Sequence, residues 1–240
     1  MGTDCAAGRL KAKIRPLMAE VSVRSRLVAE HRDPRAAYRA LVELLYSETR
    51  ASVPLMIAAR TKAIELAAMG DAVANALIGW LGRHIIEETD HDAWLLRDYA
   101  RTGGDPKGLA ASPGSPTVAA IVGSVYYWSI HAHPVAILGY CAVLEGTPPT
   151  GRFIDQLIER TGYRPDAFDT LRHHSDIDIR HSRDLFDLID RLPLTENEEA
   201  IIGMAALQTA DLLIAAGDEL LDSLIRTGVG STVPSLQLAT

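Results

Sequence analysis

Cysteine is nearly absent from this chain: Cys5 and Cys141 are the only two among 240 residues, and they stand far apart. A disulfide framework and a cysteine-rich zinc site are therefore excluded, and a reducing cytosol is the expected compartment. Positive charge is scarce as well. Lysine and arginine total 24 against 31 acidic residues, for a net charge of −7, and no basic stripe forms. Nucleic acid is thus not an expected partner. Long apolar runs are missing too. No uninterrupted stretch reaches the ~18 residues of a membrane span and no signal-peptide core opens the chain, so no membrane partner is expected and the protein reads as cytoplasmic. What remains is ordinary for a globular chain, with 48% hydrophobic and 23% charged residues. Such a length can bury a sizeable core and reads as one domain over 1–226.

Alternating strand patterns are also lacking, and helical periodicity runs almost throughout. After a first helix, Asp33-Pro34 supplies a cap and a proline at the first helical position, opening a second helix to about Ala68 with a kink near Pro54. Gly70-Asp71 opens a third, expected to run to about Arg101. Gly104 to Gly114 reads as a loop. Ser115-Pro116 starts a long apolar helix that ends at Glu145-Gly146, kinked near Pro134. A short helix over about 152–160 follows, then a turn at Thr161-Gly162. Asp166 can start a sixth helix that Pro193 closes. Thr195 and Glu198 have capping-box spacing and start the last, to about Arg226. The tail 227–240 is small, polar and expected to be disordered. Seven helices make an all-α bundle the expected fold.

The sixth helix carries the most pointed pattern. His174, Asp178 and His181 fall at i, i+4 and i+7 and span only about 60° of one helical face. Two imidazoles and a carboxylate thus occupy a stripe that a core-facing helix normally gives to apolar residues, which suits a cation. His173 and Asp176 offer a competing stripe, and Arg180, Arg183 and Asp184 mark a solvated side. On the third helix, Glu88 and His91 are i, i+3 neighbours, with His84 one turn before Glu88 on the same face. The fourth helix is uncharged from Val118 to Leu144, apart from its histidines, and then delivers Glu145. Together these give two Glu, one Asp and three His, a mixed set that suits iron or manganese and is large enough for two ions. Spacing alone leaves a solvated-face reading equally open.

Other polar residues have plainer readings. Of His131 and His133, one could support a ligand carboxylate, but a core or surface histidine is the commoner case. Tyr126, Tyr127, Trp128, Tyr140 and Trp94 read as core. Arg50, Arg60 and Lys62 read as surface cations. Nothing in the sequence around Cys141 marks a lowered pKa, so it reads as a small buried residue.

The set Glu88, His91, Glu145, His174, Asp178 and His181 resembles the pattern of the heme-oxygenase-like diiron oxidases and oxygenases: a Glu and a His on one core helix, a Glu ending another, then His-x3-Asp-x2-His on a third. Some members place the first Glu seven residues before the His, where this chain has His84. Others use the shorter spacing that Glu88 fits, and Glu87 is a second candidate. The resemblance spans roughly residues 20–226. It implies a seven-helix heme-oxygenase-like bundle, two iron ions held by those six residues, and dioxygen as co-substrate. It also implies oxidation of a small amino-acid-like or carboxylate substrate by N-oxygenation, desaturation or oxidative C–C cleavage, often in natural-product metabolism. Fold analogy adds a homodimer.

Two alternatives share the fold. One is a metal-free enzyme similar to thiaminase II or the pyrroloquinoline-quinone-forming oxidase, the former with a cysteine nucleophile that Cys141 would supply. The other is a true heme oxygenase, for which His31 is the one early proximal candidate. A non-enzymatic scaffold with a solvated polar stripe is the remaining reading.

Overall fold

The computed structural model describes residues 5–146 and 148–229, the last three of these by backbone alone. Among the described residues there is no strand. The α-helices are α1 (Ala6–Ala29), α2 (Pro34–Ala68), α3 (Ala72–Glu88), α4 (His91–Arg101), α5 (Pro106–Ala111), α6 (Pro116–Tyr127), α7 (Ala136–Leu144), α8 (Gly151–Thr161), α9 (Asp169–Arg191) and α10 (Glu196–Val229). The all-α expectation holds. The seven expected helices are all found, but two are each broken in two, and the loop expected over 104–114 contains the short α5.

The starts follow from local chemistry. Asp33 accepts a hydrogen bond from Ala36 N at 3.0 Å, Asp71 from Ala74 N at 2.8 Å, and Ser115 from Val118 N at 3.1 Å. Each satisfies an amide that the first helical turn would leave bare. Thr195 and Glu198 form the full reciprocal box at the start of α10. The expected end of that helix at Arg226 is short by three residues, and the remainder of the expected tail, 230–240, lies outside the described residues.

The two breaks matter for function. The third helix does not run to Arg101. It stops at Glu88, and Asp90 adopts a left-handed conformation (φ 72°) before α4 begins at His91. The long apolar helix passes through a π-helical turn (Trp128–Ala132), opens at His133–Val135 around Pro134, and resumes as α7. Asp166 lies in a short 3-10 turn (Pro165–Phe168), so α9 starts at Asp169.

The core centres on α7, buried on every side from Ala136 to Val143, which explains a helix with no charge. It packs along α10, which also packs along α1, while α2 lies along α3. Leu55, Leu77, Leu81, Ile137, Leu138, Leu185 and Ile189 are sealed from solvent there. A second cluster joins α2 to α8 and the 3-10 turn, with Tyr38 stacked on Phe168 at 4.2 Å and its hydroxyl donating to Ala167 O at 2.7 Å. By length and composition α10 could cross a membrane, but half of its most apolar window is buried in the bundle, as in a core helix.

Candidate metal centre

α9 presents one inward stripe: Leu171, His174, Asp178, His181, Leu185 and Leu188. Apolar residues at both ends pack the helix down, and the polar triplet between them enters the bundle. His173 and Asp176 point out to solvent. The competing stripe is therefore excluded by the direction in which the helix faces.

Three other elements converge on that triplet. Glu88 is the last residue of α3 and His91 the first of α4, so the two sit on separate helices across the left-handed turn at Asp90 rather than on one helix. Backbone strain of this kind clusters at functional sites. Here it brings Glu88 Oε2 to 2.8 Å from His91 Nδ1. Glu145 caps the C-terminal end of α7, with its Oε1 2.9 Å from His84 Nε2. His181 Nδ1 lies 3.4 Å from Glu88 Oε1 and 3.7 Å from both Glu145 Oε2 and Asp178 Oδ1. His174 Nδ1 is 3.2 Å from Asp178 Oδ1. All six expected ligands thus meet in one place.

The possible ligand atoms fall into overlapping groups. His84, Glu88 and His181 each offer one within 4.8 Å of the others, and so do Glu88, His91 and His174, which leaves Glu88 common to both. A third group is His84, Cys141 and Glu145. His84 is therefore part of the site, which its position one turn before Glu88 had signalled. It is held by Trp80, whose ring stacks on it at 4.7 Å. Glu87, exposed on the outer side, reaches His181 Nε2 at 3.2 Å and is itself paired with Arg180 at 3.2 Å. That places a carboxylate beside the outer nitrogen of His181 while Nδ1 faces inward toward Glu88, Asp178 and Glu145.

The charges explain one another only in part. Burial works to lower the pKa of His84, but Glu145, Glu88 and Glu87 outweigh it and hold it above the ordinary value. Burial likewise opposes the charged form of His174, and Asp178 with Glu88 overcomes it. Glu88 is held below the usual carboxylate range because His91, His174 and His84 outweigh its burial. Yet Glu88 Oε1, Glu145 Oε2, His91 Nδ1 and both ring nitrogens of His181 are buried with no aligned hydrogen-bond partner. Close approach without alignment is what ligand atoms show when they are arranged around a common point rather than toward one another. Leaving such atoms unsatisfied costs about 1–3 kcal/mol each, and a cation would satisfy them together. The nitrogen and oxygen donors suit iron.

Beside the ligands lies a cavity of about 160 Å³, lined by apolar Leu45, Met56, Leu95, Leu144 and Leu171 and by Glu48, Ser52, Tyr140 and Cys141. Glu48 is a site residue that the sequence reading missed. It stands four residues before Ser52 and seven before Leu55, and so continues the inward face of α2.

The remaining candidates lie elsewhere. His133 is buried against Asp71 at 3.1 Å, with Glu198 at 3.9 Å, and its Nδ1 accepts from Val135 N. That acceptor role puts the proton on Nε2, which makes it a strut between α3 and α7. His131 stacks near Tyr127 on the surface. Arg50 donates to Ser112 O and Pro113 O, Arg60 to Ile78 O, and Lys62 pairs with Glu65. Trp94 is more than core filling, because it packs on both His91 and His173. His31 lies in the turn between α1 and α2, bonded to Asp33 N.

The family model described as iron-containing redox enzyme matches residues 43–213, which includes every residue of the centre. The chain belongs to that family. It is an oxidoreductase family, and the histidine and carboxylate groups described above are candidate iron ligands in it. Solved structures agree on the fold. A domain of unknown function with a heme oxygenase-like fold from Shewanella denitrificans OS217 superposes with a TM-score of 0.77 at 17% identity, over 97% of each chain. A TenA homolog from Pseudomonas syringae pv. tomato str. DC3000 gives a TM-score of 0.67 at 15% identity, over 91% of this chain and 93% of that one. No curated protein matches the sequence.

Proposed function

We propose that this family member is a diiron oxidase or oxygenase that uses dioxygen to oxidise a small amino-acid-like or carboxylate substrate, with N-oxygenation, desaturation and C–C cleavage as its candidate outcomes, in natural-product metabolism. The observation that carries the reading is the sharing of Glu88 between two groups of possible ligands whose buried atoms lack partners. Glu88, His91 and His174 would hold one iron. His181, with His84 or with Asp178 and Glu145, would hold the other, and Glu88 is within reach of both groups. Two bound irons supply the electrons and open positions needed to reduce dioxygen.

The chain's own residues do the rest. Leu45, Met56, Leu95 and Leu144 exclude water from the cavity where a substrate would sit. The Tyr140 hydroxyl, anchored 3.1 Å from Ser52 Oγ, offers a fixed polar contact in its wall. His84 keeps a proton against Glu145 Oε1, and Trp80 fixes the ring that carries it. Fold analogy extends the proposal to a homodimer.

A metal-free reading, like that of a thiaminase, has one observation in its favour: Cys141 lines the same cavity. Against it, burial first and the charge of Glu145 second push the Cys141 thiol well above its ordinary pKa, the wrong direction for a nucleophile.

The test is anaerobic titration of the purified chain with Fe(II), followed by metal analysis and mixing with oxygen. The expected result is close to two irons per chain and a transient optical change, with His174→Ala and His181→Ala each removing at least one iron and the transient. Full iron uptake by both variants would overturn the ligand assignment. Activity that needs no metal and disappears in Cys141→Ala would establish the metal-free reading instead.

A further inference from the structure

Glu48 has no counterpart in the proposed metal chemistry. It is 6% exposed, its Oε1 is buried without a hydrogen-bond partner, and it lines the cavity beside the ligand cluster. It shares none of the close ligand groups. Among the described residues the cavity lining contains no lysine or arginine, and its one basic residue there, His174, is paired with Asp178. The groups around it are hydroxyls and hydrocarbon: Ser52 Oγ bonds to the Glu48 carbonyl at 3.4 Å and to Tyr140 OH, while Thr49, Leu45 and Met56 complete the wall. An unpaired carboxyl in such surroundings is among the least favourable arrangements a core can hold.

We infer that Glu48 is the recognition group for a cationic nitrogen, so that the cavity takes a small molecule with an ammonium group at the Glu48 end and an apolar body along Leu45, Met56, Leu95 and Leu144. Of the polar groups a substrate could bring, an ammonium alone both neutralises the carboxylate and donates to its bare oxygen. A substrate carboxylate would gain no counter-charge from the neutral acid and would be repelled by the ionised one, and a hydrocarbon would leave Glu48 unpaired. The inference rests on the oxidase reading only in taking this cavity as the substrate's place. It narrows the proposed substrates from carboxylates in general to amines and amino acids. Burial holds Glu48 up to about 8 when nothing faces it, so the group is a neutral acid near pH 7. Arrival of an ammonium ion converts it to carboxylate and releases one proton to solvent. The balance is complete: R–NH3+ plus Glu–COOH gives the R–NH3+/Glu–COO− pair and H+.

The experiment is calorimetry on the full chain loaded anaerobically with Fe(II), which occupies Glu88, Glu145 and Asp178, using benzylamine and benzyl alcohol as matched probes. Benzylamine is expected to bind at least about tenfold tighter than the alcohol. Repeating the titration in buffers of different ionisation enthalpy should show close to one proton released at pH 7. In Glu48→Gln, which keeps the shape of the side chain, both the preference and the proton release should disappear while alcohol binding stays within about twofold. Glu48→Asp, with its carboxylate withdrawn by one methylene, should retain a reduced preference. Equal binding of the two probes to the parent chain, or an amine preference intact in Glu48→Gln, would overturn the inference. Loss of iron from Glu48→Gln would overturn it as well, by making Glu48 a ligand. If the chain takes up no iron, the same titration on metal-free protein separates the cases. A preference abolished by Glu48→Gln would then uphold amine recognition while the diiron reading fails.

Discussion

A single buried carboxyl can dominate the pH dependence of a fold, and Glu48 is placed to do so. Burial alone raises its pKa from the ordinary 4.5 to about 8. Between those values the unfolded chain has lost the proton that the folded chain keeps, so stability falls as pH rises across that window and levels off above it. The gap corresponds to roughly 5 kcal/mol as an upper limit. Glu48→Gln is therefore expected to melt several degrees above the parent at pH 9 and close to it at pH 5, measured by thermal unfolding of metal-free protein. A gap that is the same at both pH values would mean that Glu48 ionises freely in the fold. At this scale the sequence was informative wherever ligand spacing followed a helix. His174, Asp178 and His181 could be placed on one face because α9 is regular through all three. Glu48 could not be singled out, since one glutamate among the polar residues of α2 looks the same on an inward face as on a solvated one.

Elements were legible where a side chain caps a terminus and illegible where backbone conformation alone breaks a helix. Asp33, Asp71, Ser115 and Thr195 each announce a start that the structure contains. Nothing in Glu87-Glu88-Thr89-Asp90-His91 announces a stop, because the break is a left-handed turn at an aspartate and not at a glycine or proline. Glu88 and His91 were therefore expected on one helix, and the turn between them is what aims both inward. Asp90→Val tests that. A β-branched residue resists positive φ by about 1–2 kcal/mol, and the variant should lose both stability and iron affinity, whereas Asp90→Gly should keep both. Equal iron titrations for the two variants would show that the turn does not aim the ligands. The π-helical turn before Pro134 is similarly silent, and beyond it α7 resumes in close packing on α10. A Cβ built on Gly139 would lie 2.3 Å from Ile202 O and 2.8 Å from Ala206 N, both backbone atoms that cannot step aside. Gly139→Ala should thus force the two helices apart and lower stability by about 1–3 kcal/mol in denaturant unfolding.

Across the whole molecule, the bundle divides by what holds each part down. α1, α7 and α10 are bound mainly by apolar burial, with ion pairs such as Arg9–Glu199 and Arg24–Asp218 along the α1–α10 edge. α9 is different. Its two ends pack through Leu171 and through Leu185, Leu188 and Ile189, while the turns between present His174, Asp178 and His181 to other polar groups. In that middle stretch, hydrophobic burial cannot offset the ordering of the chain, and the stabilisation has to come from whatever satisfies the polar atoms. Binding of iron to the folded state alone adds about 2.7 kcal/mol when the free metal stands at a hundred times its dissociation constant. That gain should fall where the ligands are. Removal of iron by a chelator is therefore expected to lower the melting temperature and to speed amide hydrogen exchange over residues 173–182, across the Glu88–His91 turn and at the end of α7. Exchange in α1 and in the centre of α10 should remain as slow as before. The same treatment of His181→Ala, which lacks one of the candidate ligands, should produce a smaller change than in the parent chain. Uniform acceleration across all helices would mean that the metal stabilises the bundle as a whole. No acceleration anywhere would mean that the polar stripe of α9 is held by its own ion pairs.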